Sequence, residues 1–525
     1  MLRAVGAVLA AVLLLGATAA PAGADDDDDD DRHSSWSQGS SIDWSGLLSG
    51  FSSSSSATIE GSLYDVVDQI NARELWEQGI TGQGVDVAVI DTGVMPVAQL
   101  ADPDKVRAVV DLSLEAEVPE AVFLDTYGHG THMAGIIAGS DPTGDPATAA
   151  ERPEEFHGVA PGAGIVSVKV ADNTGAVDVS QVIAAIDWVI QHRDAEGLNI
   201  RVINLSYGTD SEQPYAESPL AYAVERAWDA GLVVVVAAGN DGWMDPGLAA
   251  PANDPYVIAV GAAQVTDRGT SVPHWASGGR VFTQTRSGYW AGFWSEDYSG
   301  RIPDVVAPGA SIESLVAPGS RSALDHPEAF VTEQTMKGSG TSQAAAVVSG
   351  AAALLLQDRP ELTPDQVKAL LTSSADRLDW TLSTVQGHGM IDVAAAVATP
   401  TPNVVQSWPR SSGLGSLEAA RGSAHVVVDG AEVRGEVTVD GSAWNPEAWI
   451  ADSRAGTTWT NGEWNGFSWT GNSWTGFSWT GNSWTGFSWT GNSWTGFSWT
   501  GNSWTGFSWT GNSWTGFSWT GHGWR

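Results

Sequence analysis

KGSGTSQAAAVVSGAAALLLQ, Lys337–Gln357, is the stretch from which the rest of the chain can be understood. From Gln343 onward it is apolar on every face for about four helical turns, which predicts a core helix. It falls short of the about 20 apolar residues that a bilayer span requires. Gly338, Gly340 and the hydroxyls of Thr341 and Ser342 stand just before its first turn. Backbone N–H groups point outward unpaired there, and the helix dipole favours negative charge. Two readings follow. Thr341 or Ser342 caps a core helix, which is the commoner use of such residues; or Ser342 is an attacking oxygen held where a developing oxyanion would be stabilised. Taken alone the stretch favours the cap, so the second reading needs partners from elsewhere in the chain.

Working outward, short apolar runs recur at Val85–Ile90, Ile165–Val170, Val202–Leu205, Leu232–Ala238 and Val257–Val260. Helical patterns alternate with them: a helix over Ile70–Gln78, another whose face carries Val182, Ile183, Ile186, Val189 and Ile190, and a third over Leu220–Trp228. Thr363-Pro364-Asp365-Gln366 opens a further helix as a capping box with Pro in the first helical position. Strands alternating with helices predict an α/β fold, a parallel sheet with helices on both faces.

Ligands of such sheets bind beyond the carboxyl ends of the strands. Asp91 follows VDVAVI directly, in Asp91-Thr92-Gly93. A lone Asp can simply close a turn there, and an aspartic protease would need a second carboxylate sharing a proton, which no second such triplet supplies. In Tyr127–Gly135 small residues surround His129 and His132 ahead of an apolar helix. The zinc signature H-E-x-x-H is absent. The bland reading is a core or capping histidine; the sharper one is a general base, with Gly128 and Gly130 letting substrate backbone pass close to the ring. VVVVAAGN, Val233–Asn240, is a buried strand ending in a turn, and the Asn240 amide is a donor of the kind acyl transfer needs for its oxyanion.

Jointly these segments supply an acid, a base, a nucleophile and an oxyanion donor. AVIDTGV (Ala88–Val94), GHGTHMAG (Gly128–Gly135), GVAPGA (Gly158–Ala163), VINLSYG (Val202–Gly208), VVAAGN (Val235–Asn240) and GTSQAAAVVSGAAAL (Gly340–Leu354) closely resemble the subtilisin-like serine peptidases of secreted bacterial type. The order Asp, His, Ser along the chain is that of the subtilisins. The resemblance spans residues 61–399. It implies a serine endopeptidase in which Ser342 is the nucleophile, His129 the base, Asp91 the partner that orients the imidazole, and Asn240 with the Ser342 N–H the oxyanion hole. It further implies that Ser206, Tyr207 and Gly208 pair with substrate backbone and that His132 is structural. No cofactor is required; calcium is common in the family, but no ligands are assignable, and no metal site is predicted. Ala346 stands where the family usually has Pro, and Gly278–Gly300, with Trp290 and Trp294, reads as an insertion. Asp25–Glu60 is too short and polar for the folded inhibitory pro-domain that many relatives carry.

Composition bounds the rest. The chain of 525 residues has no Cys, so disulfide and thiol chemistry are out of reach. Its net charge of -38, with 24 Lys and Arg against 62 Asp and Glu, argues against nucleic-acid binding. Arg3, the apolar run Val5–Leu15 and the Ala22-Gly23-Ala24 pattern predict a signal peptide over 1–24. A disordered Asp- and Ser-rich segment follows over 25–60. The mature chain is expected outside the cytoplasm with no transmembrane anchor. After the peptidase domain, 400–443 reads as a linker or small β segment and 444–525 as Trp-rich repeats. Trp recurs every five residues from Trp459 to Trp524, and the same phase takes in Trp444 and Trp449. Ser-Trp-Thr-Gly followed alternately by Asn and Phe favours short strands in a repeat array. Exposed indoles would suit contact with a cell wall or polysaccharide, whereas stacked ones would build the array's own core. The expected partner of the catalytic domain is a polypeptide substrate. The alternative reading is a wall- or surface-binding protein with an idle peptidase-like domain.

Overall fold

The computed structural model describes residues 61–520 apart from 117, 119–120, 122, 243–246, 280–281, 284–295, 298–300 and the links between short strands beyond 460. The segments read as signal peptide and acidic stretch, together with Trp290 and Trp294, lie outside the described residues.

The first ten strands are β1 Asp86–Asp91, β2 Val106–Asp111, β3 Gly164–Lys169, β4 Ile200–Leu205, β5 Val233–Ala237, β6 Ile258–Thr266, β7 Gly269–Ser271, β8 Phe282–Thr283, β9 Glu296–Asp297 and β10 Val305–Pro308. The main sheet runs β10-β6-β5-β4-β1-β3-β2, parallel throughout, with β7 added antiparallel to β6. β1, β3 and β5 are buried at every position, as the unbroken apolar runs predict for strands covered on both faces.

The helices that position the site are α1 Leu63–Gln69, α2 Arg73–Trp76, α3 His129–Ala138, α4 Val179–His192, α5 Pro219–Asp229, α6 Arg321–Asp325 and α7 Thr341–Asp358. Of these, α3 packs with α7 and α4 with α5. Of the helix expected over Ile70–Gln78 only α2 forms; α1 ends at Gln69, before that span, and Asn71, with a φ of 57°, separates the two. The Thr363 capping box forms with both of its reciprocal bonds. Among the described residues no helix is long and apolar enough to cross a membrane.

Beyond residue 400 the chain stays on the body. Ser412 N–H donates to the Ala216 carbonyl and Gly415 N–H to the Glu217 carbonyl, both at 2.7 Å. A short helix, Leu417–Arg421, a hairpin of Val427–Val428 with Ala431–Glu432, and a helix Pro446–Ala455 follow. That last helix departs from the five-residue Trp phase. Asn445 caps it, Pro446 fills its first position and Gly456 ends it in the left-handed conformation, so Trp444 and Trp449 are buried against the body and are not strand residues. Further on, Ser493–Thr500 pairs in parallel with Ser473–Thr475, Ser478–Thr480 and Ser513–Thr520, and Trp484–Thr490 pairs with Trp504–Thr510. Trp474 stands opposite Trp494 and that opposite Trp514, a stagger of twenty residues at every pair.

Candidate active site

Neighbouring strands β1, β4 and β5 deliver the predicted site residues at their carboxyl ends: Asp91 closes β1, Ser206 follows β4, and Gly239 and Asn240 follow β5. His129 opens α3, which packs on β1, and Ser342 lies in the first turn of α7, which packs on α3, β4 and β5.

Asp91 and His129 form a tight pair. The imidazole Nδ1 lies 2.8 Å and 3.0 Å from the two carboxylate oxygens, and both side chains are nearly inaccessible to solvent. The Thr92 N–H donates to Asp91 Oδ1 at 2.8 Å, which fixes the carboxylate further. Burial pushes the His129 imidazole down, but the Asp91 charge, the hydrogen bond to it and the Asp125 charge together leave it above the ordinary value of 6.5. Nδ1 is thereby committed to Asp91 and Nε2 is left to exchange a proton.

The glycines around the ring serve a different purpose from the one read in the sequence. A Cβ on Gly130 would lie 2.1 Å from the Gly93 carbonyl oxygen, and one on Gly128 would lie 2.5 Å from Ser320 Oγ. The missing side chain of Gly130 lets α3 dock on the Asp91-Thr92-Gly93 turn, and that of Gly128 makes room for Ser320; the space beside each is taken by the protein itself. Gly128 also takes a φ of 106° at the helix N-cap, a conformation that L side chains rarely adopt.

Two buried residues that the sequence reading missed hold this turn. Asp125, fully inaccessible, accepts from Thr92 Oγ1 at 2.7 Å, Gly128 N at 2.6 Å, Thr131 N at 2.7 Å and Thr131 Oγ1 at 2.6 Å. It clamps the start of α3 to the turn that bears Asp91. Burial raises its carboxyl above the ordinary range against the lowering effect of these bonds. Lys169, at the end of β3, donates to the Thr92 carbonyl at 3.0 Å and pairs with Glu115 at 2.9 Å. The signal for Asp125 was its place three residues ahead of Gly128; Lys169 was hidden inside the apolar run Ile165–Val170.

The start of α7 overturns the capping reading. Its N-cap is Gly340, with no side-chain cap. Thr341 Oγ1 is engaged with Gly239 and Asn240 instead, and Ser206 Oγ donates to the Ser342 carbonyl at 3.3 Å. Asn240 Oδ1 accepts from Thr341 N at 2.9 Å. That bond turns the amide so that Nδ2, like the Ser342 N–H, has no partner among the described residues. Both donors stand beside Ser342, where a negatively charged oxygen would be held. Among the described residues no hydrogen bond joins His129 Nε2 to Ser342 Oγ; such links are often long until substrate binds.

His132, three residues along α3, is buried and held neutral, its imidazole lowered to about 3 by burial and then by the His129 charge. Among the described residues no group of three or more His, Asp or Glu is placed to hold a metal ion.

A carboxylate-oriented imidazole on α3, a hydroxyl in the first turn of α7, which packs on α3, and two unpartnered donors at that helix start are the groups that nucleophilic acyl transfer uses. The profile of the Subtilase family matches residues 82–389, and the chain belongs to that family. It is 32% identical over 351 residues to serine protease AprX of Bacillus subtilis, covering 65% of this chain and 72% of that protein. It is 33% identical over 333 residues to subtilisin E of the same organism, covering 63% and 70%. Among solved structures, fervidolysin from Fervidobacterium pennivorans, a keratinolytic enzyme related to subtilisin, is 27% identical with a TM-score of 0.48, over 64% of this chain and 46% of that one. The protein is a subtilisin-like serine-type endopeptidase, and polypeptides are its substrates.

Proposed function

We propose that Asp91, His129 and Ser342 are the triad of this endopeptidase and that it works outside the cell, tethered to a surface by its Trp-rich tail. Ser342 Oγ attacks the scissile carbonyl while His129 Nε2 takes its proton. Asn240 Nδ2 and the Ser342 N–H hold the oxyanion. The C–N bond then breaks as His129 returns the proton to the leaving amine, and water, deprotonated by the same imidazole, releases the acyl group. The two-oxygen grip of Asp91 on His129 Nδ1 carries this reading, because it fixes the tautomer in which Nε2 is the base.

A serine-directed phosphonate tests it: the full chain should be labelled at Ser342, and Ser342→Ala should not be. Equal labelling of the two would defeat the assignment. Asn240→Ala should lower kcat by about 10² to 10³ with KM little changed, a loss carried over from a subtilisin. Secretion is supported by the residues over 1–24 and by the subtilisin relatives; the N-terminus of the exported protein should fall after Ala24. For the tail, the whole protein should sediment with insoluble cell-wall polysaccharide and a chain ending at residue 470 should not.

A further inference from the structure

Two segments that leave the sheet at its carboxyl edge are joined by a part of the chain beyond the residues matched to the family. After β3 the chain runs through 172–178 into α4; after β4 it runs through Ser206, Tyr207 and Gly208 to Thr209. β1, with Asp91 at its end, lies between β3 and β4. Residues 411–439 bridge the two sides.

On the β4 side, Thr209 Oγ1 donates to the Ala420 carbonyl at 2.9 Å and Ser211 Oγ to the Ala419 carbonyl at 2.6 Å. The Ser423 N–H donates to Asp210 Oδ1 at 2.7 Å. On the β3 side, Val426, Val433 and Val439 pack on Ala176 and Leu114, and the Val439 N–H donates to Ser180 Oγ in the first turn of α4. Arg421 sits where the two sides meet. Its guanidinium, 1% exposed, pairs with Asp178, the N-cap of α4, at 2.5 Å, and donates to the carbonyls of Gly435 and Val437. The Tyr207 hydroxyl, raised first by burial and then by the Asp178 charge with Arg421 opposing, lies within electrostatic reach of that pair. The segment Ser206–Gly208 is therefore held at Ser342, through the Ser206 bond, and at Ala420, through Thr209 that follows it.

We propose that residues 411–439 are a specificity element of the peptidase site, and that Arg421 is the positioning residue through which they hold Ser206–Gly208 for an extended polypeptide. This rests on the site assignment proposed above. Contacts remote from the scissile bond lower the barrier only for substrates long enough to make them. Loosening this brace therefore penalises long substrates and spares those that reach only Ser342 and the oxyanion donors.

Full-length Thr209→Val and Arg421→Lys are compared with the unmodified chain on an eight-residue peptide amide and on a single-residue nitrophenyl ester. The peptide kcat/KM should fall about ten- to hundredfold, with ester hydrolysis within about twofold. Equal losses on both substrates, or none on either, overturn the proposal. Circular dichroism checks that each variant folds; should Arg421→Lys not fold, Thr209→Val, which removes one bond to Ala420, carries the comparison. Phosphonate labelling of the unmodified chain in the same preparation separates the two levels. An unlabelled chain defeats the site assignment and this proposal with it, whereas a labelled chain without the substrate split defeats this proposal alone.

Discussion

At the scale of single residues, the behaviour of the site turns on which groups share the Asp91-Thr92-Gly93 turn with His129. The imidazole is held above 6.5 in the folded protein, so its proton is bound more tightly there than in the unfolded chain. Its contribution to stability is fully present below about 6.5 and is lost as pH rises through the raised value. In the proposed mechanism His129 acts as the neutral ring, so the acid limb of kcat/KM should lie above 6.5, and Asp91→Asn should move it downward while lowering kcat steeply. A pH-rate profile of the two proteins checks both, and an unmoved limb would sever the link. Asp125 gives a second test. Asp125→Asn sets an amide N–H against donors of Thr131 or of Thr92 and Gly128, which should cost about 2–4 kcal/mol in urea unfolding. Asp91 was legible in the sequence because it directly follows its strand. Asp125 was less so, because its bond to Thr92 forms only when α3 docks on that turn.

At the scale of elements, the composition of α7 marks it as a core helix, and its small residues are set by what it touches. A Cβ on Gly350 would lie 2.6 Å from Val159 Cβ and 2.9 Å from its Cγ1, so the helix runs close against the segment after α3. Gly350→Val should therefore destabilise the protein by about 1–3 kcal/mol through overpacking, seen as a lower denaturant midpoint with kcat unchanged in the surviving folded fraction. Unchanged stability would show that Val159 can give way. The strands of the parallel sheet were legible because burial on both faces leaves no polar letter to blur the run. The break at Asn71 and the space behind Gly130 were not, since a positive φ and a neighbouring carbonyl leave the same letters that a helix interior or an open cleft would leave.

At the scale of the whole molecule, the catalytic body and the Trp-rich region meet along α4, where one carboxylate takes two indoles. Asp187 of α4, buried, accepts the indole N–H of Trp449 at 2.8 Å and of Trp464 at 2.9 Å, while the Trp459 indole donates to the Ala184 carbonyl at 2.9 Å. Five-residue spacing could not separate these Trp from those further on, because burial here depends on α4 and on the helix Pro446–Ala455. Burial raises Asp187 from 3.8 to about 6 despite those two bonds, so the folded state holds its proton more tightly than the unfolded one. Its contribution to stability is greatest below 3.8 and declines as pH rises to about 6. Asp187→Asn keeps an oxygen acceptor and removes that decline, so its melting temperature should gain on that of the unmodified protein between pH 4 and pH 7; parallel melting curves would refute this. Past this junction, the twenty-residue stagger makes each pair of ten-residue units one layer of a stack, adding about 4.8 Å of height. Copying or losing such a pair in the coding sequence would lengthen or shorten the tail in fixed steps, a ruler adjustable by duplication that leaves the hydrolytic machinery untouched.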